Sequence, residues 1–195
     1  MMRIYLASRS PRRRELLHQI GVDFETLIGE VEVDETPLAG EAPAAYVERV
    51  TRAKAAQGLQ IIHERRLIAH PVLSADTTLE FNGEIIGKPV DAADAQAILQ
   101  RLSGQVHRVI TGVAVCDEQR CAYVQSISEV RFRAIDDEEI RHYVLSGEPM
   151  DKAGAYGIQG RAGLFVAHIA GSYTGIMGLP VCETGELLKA FGWRF

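Results

Sequence analysis

The chain is predicted to fold as a mixed α/β domain, and three observations predict it. Strand-like and helix-like stretches alternate through the first half, the pattern of a layered α/β fold. The middle instead carries a hairpin signal, Asn82-Gly83, followed by two longer strand-like runs joined by a polar turn. That antiparallel portion departs from a simple doubly wound sheet. Finally, 47% of the 195 residues are hydrophobic and 24% charged, near the globular average. A chain of this length can bury roughly 70% of its unfolded surface, so a sizeable core is available. No repeat, low-complexity tract or linker interrupts it, and residues 1–195 are read as a single domain, or two small lobes sharing a cleft.

The elements follow in order. Arg3 to Ser8 reads as a short strand. Ser10-Pro11 opens a helix, with serine as N-cap and proline at the first helical position. Leu16, Leu17 and Ile20 form its apolar face and Gly21 stops it. Phe24 to Ile28 is a second strand, and Gly29 to Ala42 a polar, acidic loop. Ala44 to about Ile62 is a long helix with Val47, Val50 and Leu59 inward. Pro71 to Ala75 is a buried strand, and Leu79-Glu80-Phe81 and Glu84-Ile85-Ile86 flank the hairpin turn. Asp91 caps a helix through Leu102. Val106 to Cys116 and Cys121 to Phe132 are the two long strands. Asp136 starts a helix ending near Gly147, Leu164 to Ala170 is a strand, and Gly178-Leu179-Pro180 leads into a closing helix to about Phe191.

Composition excludes several classes. The net charge of −5 leaves no overall basic footprint for duplex nucleic acid. No apolar run approaches a membrane span, and the apolar stretch of Met1-Met2-Arg3-Ile4-Tyr5-Leu6 is too short for a secretory signal. Three cysteines (Cys116, Cys121, Cys182) are an odd number without a CxxC spacing. They argue against a disulfide framework and a zinc knuckle, and fit a reducing, cytoplasmic compartment.

Candidate chemistry begins with an electrostatic misfit. A helix N-terminus attracts negative charge, yet Arg12, Arg13 and Arg14 crowd this first turn, with Arg9 just before it. A phosphate chain would satisfy guanidinium groups and orphan N–H donors together, and Arg12 and Arg13 are best placed for it. Arg14 reads as a solvated charge. Lys54 shares the inward face of the long helix with Val47 and Val50, so it either snorkels out or meets a negative partner. Asp76 follows an apolar strand, where a carboxylate holds a divalent ion, takes a proton from water, or merely caps a turn. The loop carboxylates Glu30, Glu32, Asp34 and Glu35 suit a hard cation or plain solvation. Lys88, in Gly87-Lys88-Pro89, faces the same cleft or solvent. The stretch from Glu148 to Gly160 combines many glycines with Asp151, Lys152 and Gln159, a polar set that a structural loop does not need. His107 and Thr111 point to the face of Val109, and both read as satisfied core or surface groups.

Taken together, Leu6 to Arg13 (LASRSPRR), Ser74-Ala75-Asp76-Thr77, Gly87-Lys88-Pro89, Ser103 to His107 (SGQVH), Glu148-Pro149, Asp151 to Gly154 (DKAG), Ile158-Gln159-Gly160, and Gly171-Ser172-Tyr173 through Gly178-Leu179-Pro180 occur in an order that resembles the Maf family of nucleoside triphosphate pyrophosphatases. The resemblance runs from Leu6 to about Leu188. It implies a mixed, strongly curved sheet with flanking helices and two lobes around a central cleft. It also implies cleavage between the α- and β-phosphates, assisted by a divalent cation (Mg, Mn or Co) at Asp76 and Glu35. By motif, Asp76 is the proton acceptor, and Ser10, Arg12, Arg13, Lys54, Thr77, Lys88 and Gln159 bind substrate. Arg12, Thr77 and Gln159 sort substrates, and this trio looks like that of the dTTP and UTP branch, acting also on modified pyrimidine triphosphates, rather than the 7-methyl-GTP branch. A homodimer and a link to septum formation are implied by resemblance only. Two departures stand out: Arg9 replaces a small residue, and Thr174 stands where asparagine is common.

Chemically, the four cations would neutralise a triphosphate, Asp76 would take the proton of an attacking water, and Gln159 could read one edge of a pyrimidine. Asp76 would thus serve as both metal ligand and base, two jobs that compete. The rivals are a non-catalytic nucleotide or nucleic-acid binder in division control, which needs the cations but not Asp76, and an enzyme preferring ITP or 7-methyl-GTP.

Overall fold

A computed structural model describes residues 3–195; Met1 and Met2, part of the short N-terminal apolar stretch, lie outside the described residues. Seven strands form one sheet in the order β2-β1-β3-β5-β6-β7, with β4 paired to β3. They are β1 (Ile4–Leu6), β2 (Phe24–Thr26), β3 (Val72–Phe81), β4 (Glu84–Ile86), β5 (Val106–Cys116), β6 (Cys121–Phe132) and β7 (Val166–Ala170). β1 is parallel to β2 and β3, and every other pairing is antiparallel, so the sheet is mixed as expected. The helices are α1 (Pro11–Gln19), α2 (Pro43–Glu64), α3 (Ala92–Leu102), α4 (Asp137–Leu145), the single turn α5 (Tyr173–Ile176) and α6 (Val181–Ala190).

Local chemistry explains most boundaries. Ser10 accepts from the Arg13 N–H and Asp91 from the Asp94 N–H, each at the start of its helix. Asp136 and Glu139 close a reciprocal capping box on α4. In α2, the buried residues Val47, Val50, Thr51, Ala55, Gly58, Ile61 and Ile62 recur at three- and four-residue spacing, the stripe that lays the helix on the sheet. A Cβ on Gly58 would come within 2.7 Å of a Val72 methyl, so this glycine sets how closely α2 approaches β3.

Three readings change. The strand predicted to stop at Ala75 continues to Phe81, because β5 pairs with it throughout, from Val72↔Cys116 to Glu80↔Arg108. Asp76 therefore lies inside a strand rather than at its carboxyl end, and it caps no turn. Before β7, residues Arg161–Leu164 form a 3-10 turn, so that strand begins at Val166. Cys116 and Cys121 are joined by a disulfide across the mouth of the β5–β6 hairpin. Odd cysteine counts do not reveal such cross-strand neighbours, and the cysteines no longer point to a reducing compartment. Cys182 is free and exposed.

Two apolar clusters share the central strands. One gathers Leu73 and Ala75 of β3 with Val113 and Val115 of β5, α1 and the C-terminal Trp193. The other gathers Leu79 and Phe81 with Val109, α3 and α4. Between them, Asp76 to Thr78 on β3 and Thr111-Gly112 on β5 belong to neither cluster. No helix is long and apolar enough to cross a membrane among the described residues.

Candidate active site

The site is a break in the sheet. β1 pairs with β3 only as far as Leu73, and β4 pairs only from Leu79. Over the residues between, β3 has a strand neighbour on its β5 side alone. The break opens into a cleft of about 810 Å³. All nine residues singled out from the sequence line it: Ser10, Arg12, Arg13, Glu35, Lys54, Asp76, Thr77, Lys88 and Gln159. Of the other charges considered, Arg9 and Glu32 line it too, whereas Arg14, Glu30 and Asp34 do not.

Alternation along β3 divides the labour. Asp76 shares the face of Val72 and Ser74, towards α2, while Thr77 points to the opposite face. On the α2 side, Lys54 Nζ lies 2.7 Å from Asp76 Oδ1 and 2.6 Å from Glu35 Oε1. The lysine on the inward helix face thus meets a negative partner rather than snorkelling outward. Asp76 is only 6% exposed. Gly112 sits opposite it in β5, and a Cβ there would fall within 2.8 Å of Tyr123 Oη and Thr51 Oγ1. Glu35 is held by its backbone: its carbonyl accepts from Tyr46 Oη at 2.9 Å. Arg49 pins the same loop through two bonds to Glu41, at 2.6 and 2.7 Å, and one to the Thr36 carbonyl. That bidentate pair draws the Glu41 carboxyl down to about 2.

A divalent ion fits this end. Two carboxylates already converge on one cation, the Lys54 ammonium, which stands where a metal could be shared. Magnesium typically uses one or two carboxylates and completes its shell with phosphates and water. Among the described residues no cluster of three or more His, Cys, Asp or Glu exists that would hold a metal alone. The two carboxylates alone are an incomplete donor set for such an ion.

The consecutive arginines have three fates. Arg13 is buried, donating Nε to the Gly178 carbonyl (2.8 Å), Nη1 to Ser8 Oγ (3.0 Å) and Nη2 to Thr77 Oγ1 (3.2 Å). None of these partners is an anion. Burial lowers its pKa, opposed in part by the fields of Asp76 and Glu35. A buried guanidinium without a bonded carboxylate favours an anion in the cleft. Arg12 stays exposed at the cleft wall, 3.4 Å from Glu15. Arg14 faces solvent outside it. Arg9 reaches across to the acidic loop, pairing with Glu32 at 3.2 Å and with the Gly29 carbonyl. Lys88 is exposed and makes no ion pair among the described residues, and its charge lowers the Asp151 pKa together with the larger effect of Lys152.

The opposite face presents mainly neutral polar groups, apart from the Arg13 guanidinium on Thr77 and the Glu148 carboxylate under the loop. Gln159 is exposed on the turn closed by the Gly160 N–H to Gly157 carbonyl bond. That turn rests on Glu148, a residue whose role sequence reasoning did not foresee. Glu148 Oε1 accepts from Tyr143 Oη at 3.0 Å and Oε2 from the Arg161 N–H at 3.1 Å. Any Cβ at Gly160 would collide with this carboxylate. Beneath the loop, Tyr156 bonds His107 Nε2 at 2.8 Å, and His107 is 2% exposed. Desolvation depresses the His107 pKa to about 4. Thr111, fully buried, bonds Thr77. At the other departure from the family pattern, Thr174 Oγ1 accepts from the Val181 N–H at the start of α6, supplying the acceptor an asparagine would carry.

Comparison with known proteins finds close relatives in sequence. Three relatives bear the name dTTP/UTP pyrophosphatase. The protein of Dechloromonas aromatica is 73% identical, covering 99% of each chain. That of Aromatoleum aromaticum is 63% identical over 98% of this chain and 96% of its own. That of Chromobacterium violaceum is 52% identical over 98% and 96%. A solved structure, protein VC0702 from Vibrio cholerae, aligns at a TM-score of 0.34 and 15% identity over 65% of this chain and 61% of that one, too slight a likeness to add to the fold. Residues 3–191 match the family described as Maf-like protein, and the chain belongs to the Maf family.

Proposed function

We propose that the chain is a nucleoside triphosphate pyrophosphatase that cleaves dTTP and UTP to the monophosphate and pyrophosphate. The observation that carries the reading is the convergence of Asp76 and Glu35 on one ammonium, in a cleft also lined by Arg12, Arg13 and Lys88. A binding module needs the cations but gains nothing from a buried carboxylate beside them. The names of the 73% and 63% identical relatives support the substrate pair.

In the proposed reaction Arg12, Arg13 and Lys88 neutralise the triphosphate, with Ser10 and the α1 N-terminus as further donors. Lys54 holds the Asp76 carboxylate in place beside Glu35. Asp76 accepts the proton of the attacking water as its oxygen bonds to phosphorus, and the α–β anhydride bond breaks with pyrophosphate as the leaving group. Asp76 and Glu35 would hold a divalent cation that adds charge neutralisation and polarises the phosphoryl group. Thr77 and Gln159 face the nucleobase. A nucleotide substrate makes the cytoplasm the compartment of this reaction.

The test is pyrophosphate release from dTTP, UTP, 7-methyl-GTP and ITP, with magnesium, manganese or cobalt and with chelator. Release from dTTP and UTP that chelator abolishes is expected. Nucleotide binding without release overturns the enzyme reading, and a purine preference overturns the substrate.

A further inference from the structure

We infer that Thr111 is a specificity-positioning residue: it fixes the Thr77 hydroxyl so that only a hydrogen-bond acceptor faces the cleft. The argument follows the protons. Thr111 Oγ1 lies 2.8 Å from the Gly175 carbonyl, a group that can only accept, so the single hydroxyl proton of Thr111 is committed there. Thr77 Oγ1 lies 2.9 Å from Thr111 Oγ1. Having no proton left, Thr111 must accept in that contact, and Thr77 must donate its own. Arg13 Nη2, which can only donate, points at Thr77 Oγ1 from 3.2 Å and takes one of its two lone pairs. The chain runs in one direction, Arg13 to Thr77 to Thr111 to Gly175. What remains of Thr77 for a ligand is one lone pair.

Thr77 lines the cleft and Thr111 does not, so the consequence reaches the substrate through a buried neighbour. A fixed acceptor selects a donor. On the pairing edge of uracil and thymine the central group is N3–H, a donor between two carbonyls. In cytosine the corresponding N3 is an acceptor, and two facing acceptors repel. The cytosine ring is otherwise nearly the same shape, so proton polarity rather than size does the sorting. This inference rests on the proposed reading that Thr77 faces the base, and takes N3 as the atom it meets.

The experiment compares kcat/KM for UTP and CTP in the wild type, Thr111→Val, Thr111→Ser and Thr77→Val. Wild type is expected to favour UTP by about tenfold, the size of one mismatched polar contact. Thr111→Val keeps the shape but removes the acceptor, freeing the Thr77 proton to turn into the cleft. Its UTP-to-CTP ratio should fall to within about threefold, while Thr111→Ser retains the wild-type ratio. Thr77→Val, which leaves the Thr111–Gly175 bond in place, should lose the preference as well and serves if Thr111→Val does not fold. An unchanged ratio in folded Thr111→Val, a retained ratio in Thr77→Val, or no preference in the wild type overturns the inference. If the wild type releases no pyrophosphate from any nucleotide, the proposed activity fails instead, and the same comparison read as nucleotide binding still judges Thr111.

Discussion

The two ends of the cleft solve opposite electrostatic problems on opposite faces of one strand. On the α2 side of β3, Lys54, Asp76 and Glu35 balance one another at 2.6–2.7 Å. On the other, Thr77, Thr111, His107, Tyr156 and Gln159 are neutral, with charge entering only through Arg13, which donates to Thr77, and Glu148, which supports the loop. Charges can be exchanged between partners when a phosphate or a cation arrives, so the charged end suits a ligand that comes and goes with its counterions. Neutral hydrogen bonds are directional, and a hydroxyl with a committed proton discriminates where an ammonium would not. One strand can serve both because its edge is open where β1 leaves and β4 has not yet begun.

This contrast is open to attack from either end. The largest effect is expected at Asp76. Asp76→Asn keeps the shape and removes the proton acceptor, and kcat should fall by at least ~10³-fold while nucleotide affinity, read by calorimetry, stays measurable. Near-normal turnover would remove Asp76 from the chemistry and leave the charged end a binding feature only.

Acid should undo the neutral end first. His107 is buried and held neutral with its pKa near 4, below the ordinary value of 6.5. The unfolded chain therefore binds a proton that the folded chain refuses. As pH falls through 6.5, stability declines, and the loss levels off below about 4. Its full extent is on the order of 3 kcal/mol, or a few hundredfold in the folding equilibrium. Urea unfolding between pH 7 and 4 measures it, and a His107→Asn protein should show a flatter profile over that window. An identical profile in both proteins would assign the acid sensitivity elsewhere.

Glu148 tests whether the neutral end depends on a rigid loop. Glu148→Gln keeps one acceptor for either Tyr143 or the Arg161 N–H and weakens the other. It should raise KM by about tenfold with a smaller change in kcat, the signature of lost substrate binding rather than lost chemistry. A fall in kcat alone would move Glu148 into the catalytic machinery.

The smallest effect is expected at Arg9, which joins the acidic loop through an exposed pair with Glu32. Exposed ion pairs contribute about 0–1 kcal/mol, so Arg9→Gly should change kcat/KM by less than about fivefold. A larger loss at low salt that vanishes at high salt would show Arg9 acting on the phosphates directly.

Much of the frame was legible in the amino-acid order. Asn82-Gly83, Ser10-Pro11, Asp91 and Asp136 mark turns and caps through local chemistry, and local chemistry does not wait for tertiary contacts. The two long strands have their expected limits, Val106–Cys116 and Cys121–Phe132. The motifs sufficed to nominate nine residues that line one cleft. Pairing across the sheet was beyond that reading. Whether β3 stops at Ala75 or runs through Asp76 depends on β5, more than 30 residues away, and hence so does the choice between a turn cap and a carboxylate buried against Lys54. The fates of Arg12, Arg13 and Arg14 depend on where Gly178 and Thr77 arrive. Thr111 reads from sequence as a satisfied core or surface group, because a hydroxyl's polarity is set by partners distant in sequence: Thr77, 34 residues away, and Gly175, 64 residues away. Sequence fixes what each side chain can donate or accept, and only the assembled sheet decides which of those capacities are already spent before a substrate enters.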